Sequence, residues 1–137
     1  MVAKKKVLFI CTHNSARSQM AEGLVNALFS DRLIAKSAGT TATKVHESAI
    51  YAMKERGIDI SHHRSKNIHE FRDESFDYVV TVCDSAKEGC PFFPGAKKYF
   101  HEDFLDPASA KGTKHEIMNA FRSVRDQIKE WIEKTLT

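Results

Sequence analysis

The chain carries only three cysteines among 137 residues, and no Cys-x-x-Cys pair. That supply cannot build a disulfide scaffold or a zinc ribbon, and it turns attention to thiol chemistry instead. Repeats, linkers and low-complexity tracts are missing, which excludes solenoids and tethered modules. No stretch approaches the ~18 consecutive apolar residues of a membrane span. The basic start is followed by an apolar run, Val7–Ile10, that is too short for a signal peptide, so a reducing cytoplasm is the expected compartment. Strong charge of one sign is also lacking. A net charge of +3 and a pI near 8.8 suit a small anionic substrate, and no DNA- or RNA-binding motif accompanies them.

What is present is ordinary for a globular protein: 42% hydrophobic and 28% charged residues. The length fits one domain, 1–137, able to bury roughly two-thirds of its unfolded surface without disulfide or metal. Lys5–Cys11 reads as a continuously apolar strand of the kind buried in a parallel sheet. From about Ser18 the apolar spacing becomes helical through Met20, Leu24, Ala27 and Leu28. Leu33–Ala38 reads as a second strand, Val45–Arg56 as a helix stopped by Gly57, and Ile58–Asn67 as a loop. A short helical piece at Ile68–Phe71 precedes the β-branched strand Tyr78–Val82. Cys83–Gly95 is expected to be irregular, Lys97–Phe100 a fourth strand, and the chain after Asp106-Pro107 a long helix with Ile117, Phe121, Val124, Ile128, Trp131 and Ile132 as its buried stripe. This alternation implies an α/β domain: a four-stranded parallel sheet covered by helices on both faces. Ligands bind such sheets at the carboxyl ends of the strands, where this reading puts Cys11 and Cys83.

The segment Cys11-Thr12-His13-Asn14-Ser15-Ala16-Arg17-Ser18 joins a buried strand to a helix. A tight loop there aims backbone N–H groups at the positive end of the helix dipole, a ready site for a tetrahedral oxyanion. Arg17 can hold two oxygens of such an anion with its planar fork. The same positive field favours a thiolate at Cys11. A nucleophile at one end of the loop and an anion clamp at the other suffice for displacement at phosphorus or arsenic.

Two further features bear on that chemistry. Asp106, fixed ahead of Pro107 and biased toward an extended backbone, is the candidate acid for a leaving oxygen. Cys83 and Cys90 bracket a short, Gly-containing segment, CDSAKEGC, able to close a disulfide if it moves. A thiol pair supplies two electrons by becoming a disulfide, as a reduction requires; hydrolysis of an ester has no use for them.

CTHNSARSQMAEG resembles the signature of the low-molecular-weight protein tyrosine phosphatase family: Cys, five residues, Arg, then Ser or Thr, near the N-terminus. It is more similar to the arsenate reductase branch, in which SQMAEG follows the loop arginine. The resemblance continues through SAGT, YVVTVCD, FLDP and the final amphipathic helix. It implies that Asn14 orders the loop, that Ser18 donates a hydrogen bond to Cys11, and that Asp106 is the general acid. It further implies a relay. Cys11 attacks arsenate, Cys83 attacks Cys11 to release arsenite, Cys90 resolves the Cys11–Cys83 disulfide, and thioredoxin reduces the Cys83–Cys90 product. Phosphate or sulfate would occupy the same loop, no bound cofactor is needed, and a monomer is expected. Tyrosine phosphatases of the family follow the Asp-Pro pair with an aromatic residue; here Ala108 stands there.

Some members hold a potassium ion with an Asn, a Glu, a Ser and an Asp. Asn14, Glu22 and Ser37 match three of these, whereas the fourth position falls on Lys66, whose ammonium could supply the ion's charge. His62, His63, His69 and His101 lack metal-ligand spacing and read as solvated or locally bonded. His13, inside the loop, either adds positive charge or lines the rim. Two other readings stand beside the reductase: a phosphomonoester hydrolase with cysteines serving redox control, and a non-enzymatic oxyanion-binding module.

Overall fold

A computed structural model describes residues 3–84 and 93–137. Four strands, β1 (Lys5–Cys11), β2 (Leu33–Gly39), β3 (Phe76–Thr81) and β4 (Ala96–His101), form one parallel sheet in the order β2-β1-β3-β4. Three α-helices accompany it: α1 (Arg17–Leu28), α2 (Glu47–Lys54) and α3 (Lys114–Thr135). Short 3₁₀ turns occupy Ile68–Phe71 and Pro107–Ser109.

β1 lies at the centre because its run of Val7, Leu8, Phe9 and Ile10 is apolar on both faces, and all four side chains are fully buried. Val7, Phe9 and Cys11 join a core that takes in Met20, Leu24 and Val25 of α1, Ala52 and Met53 of α2, and Phe121, Ile128 and Ile132 of α3. Leu8 and Ile10 point to the other side, into a smaller cluster with Phe71, Phe76, Val79 and Phe93. Both faces of the sheet are thus covered, but unequally. Among the described residues every α-helix contributes to the first core, and the second is closed by the 3₁₀ turn at 68–71 and Phe93 rather than by an α-helix.

Element ends shift by a few residues from the sequence reading, and three of the shifts have local reasons. The second helix begins at Glu47 and not Val45, because the extended backbone of His46 makes it the N-cap, its Nδ1 accepting from Ser48 N–H at 3.0 Å. The long helix waits until Lys114, where Thr113 and Glu116 form a reciprocal capping box. The third strand stops at Thr81 and does not reach Cys83: its partner β4 ends at His101, the residue paired with Thr81. Val82 still donates to the Ile10 carbonyl at 2.9 Å, so Cys83 lies just beyond the strand, against β1.

The strand order reverses at β1, with β2 on one side and β3 on the other. The crevice at such a reversal, at the carboxyl ends, is the usual ligand site of open α/β sheets. Gly39 closes β2 there beside Cys11, its register partner. A Cβ at Gly39 would fall 2.6 Å from the Thr12 carbonyl oxygen and 2.8 Å from the Asn14 nitrogen, backbone atoms that cannot swing aside. Gly39→Ala should therefore cost about 1–3 kcal/mol, read as a lower urea midpoint, and should weaken phosphate binding by displacing the 12–14 backbone.

Candidate functional site

The loop from Cys11 to Ser18 is shaped by where its carbonyls go. Thr12 O accepts from Thr41 N–H at 2.9 Å, Ser15 O from His46 N–H at 3.0 Å, and His13 O from the Ser65 hydroxyl at 2.7 Å. Because a peptide unit is planar and trans, fixing these carbonyls outward turns the amides of the same units to the opposite side of the loop. The helix that follows has Ala16 at its N-cap and no side-chain cap, so its positive end meets the loop without a competing carboxylate or hydroxyl.

Asn14 is the pivot. It is fully buried with φ of 50°, a left-handed conformation that asparagine tolerates better than most residues. Its Nδ2 donates to Ser18 Oγ at 2.7 Å, while its Oδ1 accepts from Gln19 Nε2 and from the Lys66 backbone N–H, both at 2.8 Å. Ser18 Oγ accepts from Asn14, which leaves its own hydrogen available for Cys11 Sγ, 2.8 Å away. Toward an ionised Cys11 the hydroxyl is the donor, the arrangement that favours thiolate.

Across the loop, Arg17 is almost wholly buried. Its Nη1 donates to the Phe104 carbonyl at 3.1 Å, and Nη2 stands 3.7 Å from Asp106 Oδ2. Asp106 is extended, as its place before proline requires, and its Oδ1 caps the 107–109 turn by accepting from Ala108 N–H at 3.0 Å. The other oxygen remains turned toward Arg17. Cys11, Arg17 and Asp106 thus line one cavity of about 180 Å³, together with His13, Thr43 and Ala108. That volume suits a tetrahedral oxyanion. His13 is exposed at the rim and also borders a second cavity of about 420 Å³ running past Leu105 toward α3.

Cys83 is fully buried and belongs to the same apolar core as Cys11, two residues beyond the end of β3, with Sγ 3.8 Å from the Ile10 carbonyl oxygen. Both are thiols. Cys90 lies outside the described residues.

A second ring of contacts supports the loop from below. Gln19, fully buried, bonds Asn14 and the Arg64 carbonyl through Nε2, and its Oε1 meets His63 Nδ1 at 2.9 Å. As that oxygen can only accept, His63 carries hydrogen on Nδ1. Burial pushes the His63 imidazole below its ordinary value, and Glu22 pulls the other way. Glu22 accepts from the Ser37 hydroxyl at 2.7 Å and pairs with Lys66 Nζ at 3.4 Å. Asn14, Glu22 and Ser37 therefore do converge with residue 66, but the fourth group is an ammonium. Such a donor set repels a metal cation, so these residues do not fit potassium. Among the described residues no cluster of His, Cys, Asp and Glu suits a metal.

His63, Thr43 and the Phe104 carbonyl carry no sequence signature, since each acts through a partner distant in the chain, and Gln19, though part of SQMAEG, is given no role by that motif. Ser18 and Asn14 are the two whose roles the loop pattern announces. Removing the hydroxyl with Ser18→Ala should slow iodoacetamide alkylation of Cys11 at neutral pH by roughly tenfold, the worth of one charge-assisted hydrogen bond of ~1.5 kcal/mol. An unchanged alkylation rate would mean the hydroxyl does not act on sulfur.

Comparison with known proteins agrees with this geometry. Residues 6–137 match the model of the low molecular weight phosphotyrosine protein phosphatase family. An arsenate reductase of Shouchella clausii is 44% identical over 133 residues, covering 97% of this chain and 96% of the relative. A solved arsenate reductase in the phosphate binding state superposes with a TM-score of 0.81 at 34% identity, over 95% of each chain. A thioredoxin-dependent arsenate reductase of Corynebacterium glutamicum superposes with a TM-score of 0.68 at 27% identity, over 96% of this chain and 61% of the other. With residues 6–137 matched by the family model and 44% identity to a relative over 97% of its length, the chain belongs to the low molecular weight phosphotyrosine protein phosphatase family.

Proposed function

We propose that this protein is an arsenate reductase that uses Cys11, Cys83 and Cys90 in turn and draws its electrons from thioredoxin. The observation that carries the reading is the pairing of two thiols: Cys11 sits in an oxyanion-sized cavity with Arg17 and Asp106, and Cys83 lies in the same core just past the end of the adjoining strand. The family relatives named as arsenate reductases support the substrate, and the thioredoxin-dependent one supports the reductant.

Arsenate enters the loop with its oxygens on the backbone amides of residues 12–18 and on the Arg17 fork. The Cys11 thiolate, assisted by Ser18, attacks arsenic, and Asp106 gives a proton to the departing oxygen, which leaves as water. Cys83 then attacks Cys11 Sγ. A sulfur–sulfur bond forms, the arsenic–sulfur bond breaks, and its electron pair stays on arsenic, which departs as arsenite. Cys90 attacks Cys83, freeing Cys11 as thiolate and leaving a Cys83–Cys90 disulfide for the thioredoxin dithiol. Such a cycle belongs in a reducing cytoplasm, and it requires no bound cofactor. Phosphate and sulfate compete for the loop. Ester hydrolysis would use Cys11, Arg17 and Asp106 alone, and the small residue Ala108 beside the cavity offers an aromatic ring no platform.

In this reading the Lys66 ammonium, paired with Glu22, supplies the positive charge that a potassium ion brings to some relatives. Its expected consequence is a melting temperature that changes by less than about 1 °C when sodium chloride is replaced by potassium chloride at equal ionic strength. A potassium-specific rise of several degrees would show a cation site after all.

The relay itself is tested with Cys90→Ser. The variant should complete one arsenate turnover and then stop, with mass spectrometry finding Cys11 joined to Cys83. Sustained thioredoxin-driven reduction by this variant would remove Cys90 from the mechanism.

A further inference from the structure

Outside the oxyanion cavity, three polar side chains form a continuous bridge at the carboxyl edge of the sheet. Thr81 ends β3, His101 ends β4, and the two are register partners. Thr81 Oγ1 is 2.7 Å from His101 Nδ1, and His101 Nε2 is 2.6 Å from Asp103 Oδ1. Beneath them the Glu102 N–H donates to the Thr81 carbonyl at 3.1 Å. The Asp103 carboxylate can only accept, so Nε2 carries hydrogen; in the neutral ring, Nδ1 then accepts the threonine hydroxyl.

The place of this bridge matters more than its strength. It sits where β4 hands over to residues 102–106, and that segment delivers two groups to Arg17: the Phe104 carbonyl at 3.1 Å and the Asp106 carboxylate at 3.7 Å. His101 and Asp103 are substantially exposed, and an exposed polar pair contributes little to global stability. A proton donor, by contrast, is sensitive to position: displacement by about 1 Å can cost orders of magnitude in rate. Three residues spanning two strand ends and the outgoing segment restrict the angle at which 103–106 leaves the sheet.

We propose that the Thr81–His101–Asp103 bridge is a positioning device for Asp106, with His101 as its central positioning residue. It sets the approach of the acid to the leaving oxygen while the Cys11 loop and Arg17 bind the anion. This rests on Asp106 being the proton donor, as argued above.

The test uses the full-length protein and two reactions, thioredoxin-driven arsenate reduction and hydrolysis of phenyl phosphate, whose leaving oxygens are both basic enough to need a proton as they depart. His101→Ala and Asp103→Ala should each lower kcat about tenfold, with the Kd for inorganic phosphate staying within about twofold. The double variant should be no slower than either single one, because both changes break one bridge. His101→Gln, whose amide N–H can still reach Asp103, should recover most of the loss. Thr81→Val, a change without volume cost at a surface strand end, provides the same reading if the alanine variants fail to fold. The proposal is overturned if kcat stays within twofold of the parent, if the two single losses multiply in the double variant, or if phosphate affinity falls as far as kcat. A parent protein that cleaves the ester but does not turn over arsenate would refute the reductase assignment and leave the bridge to be judged on the ester.

Discussion

The buried side chain of Asn14 is the constraint on which the site depends. A left-handed residue in the middle of an eight-residue loop is costly unless its surroundings over-determine it. Here the amide makes bonds in three directions, to Ser18, to Gln19 and to the Lys66 backbone. One of those bonds occupies a lone pair of Ser18 Oγ and leaves its hydrogen free for a Cys11 thiolate. Loop shape and sulfur activation are therefore one network, and neither can change without the other.

That network has a foundation in charge. Glu22 sits mostly buried under the loop, where a lone carboxylate would be expensive. Lys66 and the Ser37 hydroxyl satisfy it. Lys66 also presents its backbone N–H to Asn14, so the residue that neutralises the carboxylate holds the loop as well. An internal ammonium does this permanently, whereas an exchangeable ion would tie loop order to the salt present. Burial lowers the His63 pKa against the pull of Glu22, and so disfavours a second charge beside Lys66.

The sheet supplies the geometry that joins binding to redox chemistry. Parallel β1 and β3 run side by side and release their chains at the same edge, one into the oxyanion loop and the other into the segment bearing Cys83. In the proposed relay the burial of Cys83 would protect its thiol between turnovers, and transfer of oxidation from Cys11 would involve rearrangement beyond Thr81, where the strand pairing has already ended.

Much of this was legible in the amino-acid order. A continuous apolar run ending in Cys11, then a polar loop closing on Arg17 and an amphipathic helix, determined the central strand, the anion loop and the helix after it. These are local patterns, in which burial and backbone geometry follow from neighbours a few residues apart. The pairing of Asp106 with Pro107 likewise dictated the extended backbone at the acid. Tertiary structure alone decided that the carboxylate turns to Arg17, that Cys83 packs on the same side of the sheet as Cys11, and that Gln19, His63 and the Phe104 carbonyl serve the site. It also decided that the described α-helices crowd one face, since amphipathic spacing says a helix has a buried side but not which sheet face receives it. Contacts between residues 14 and 66, or 17 and 104, are products of chain closure over dozens of residues, and no periodicity in a single sequence encodes them.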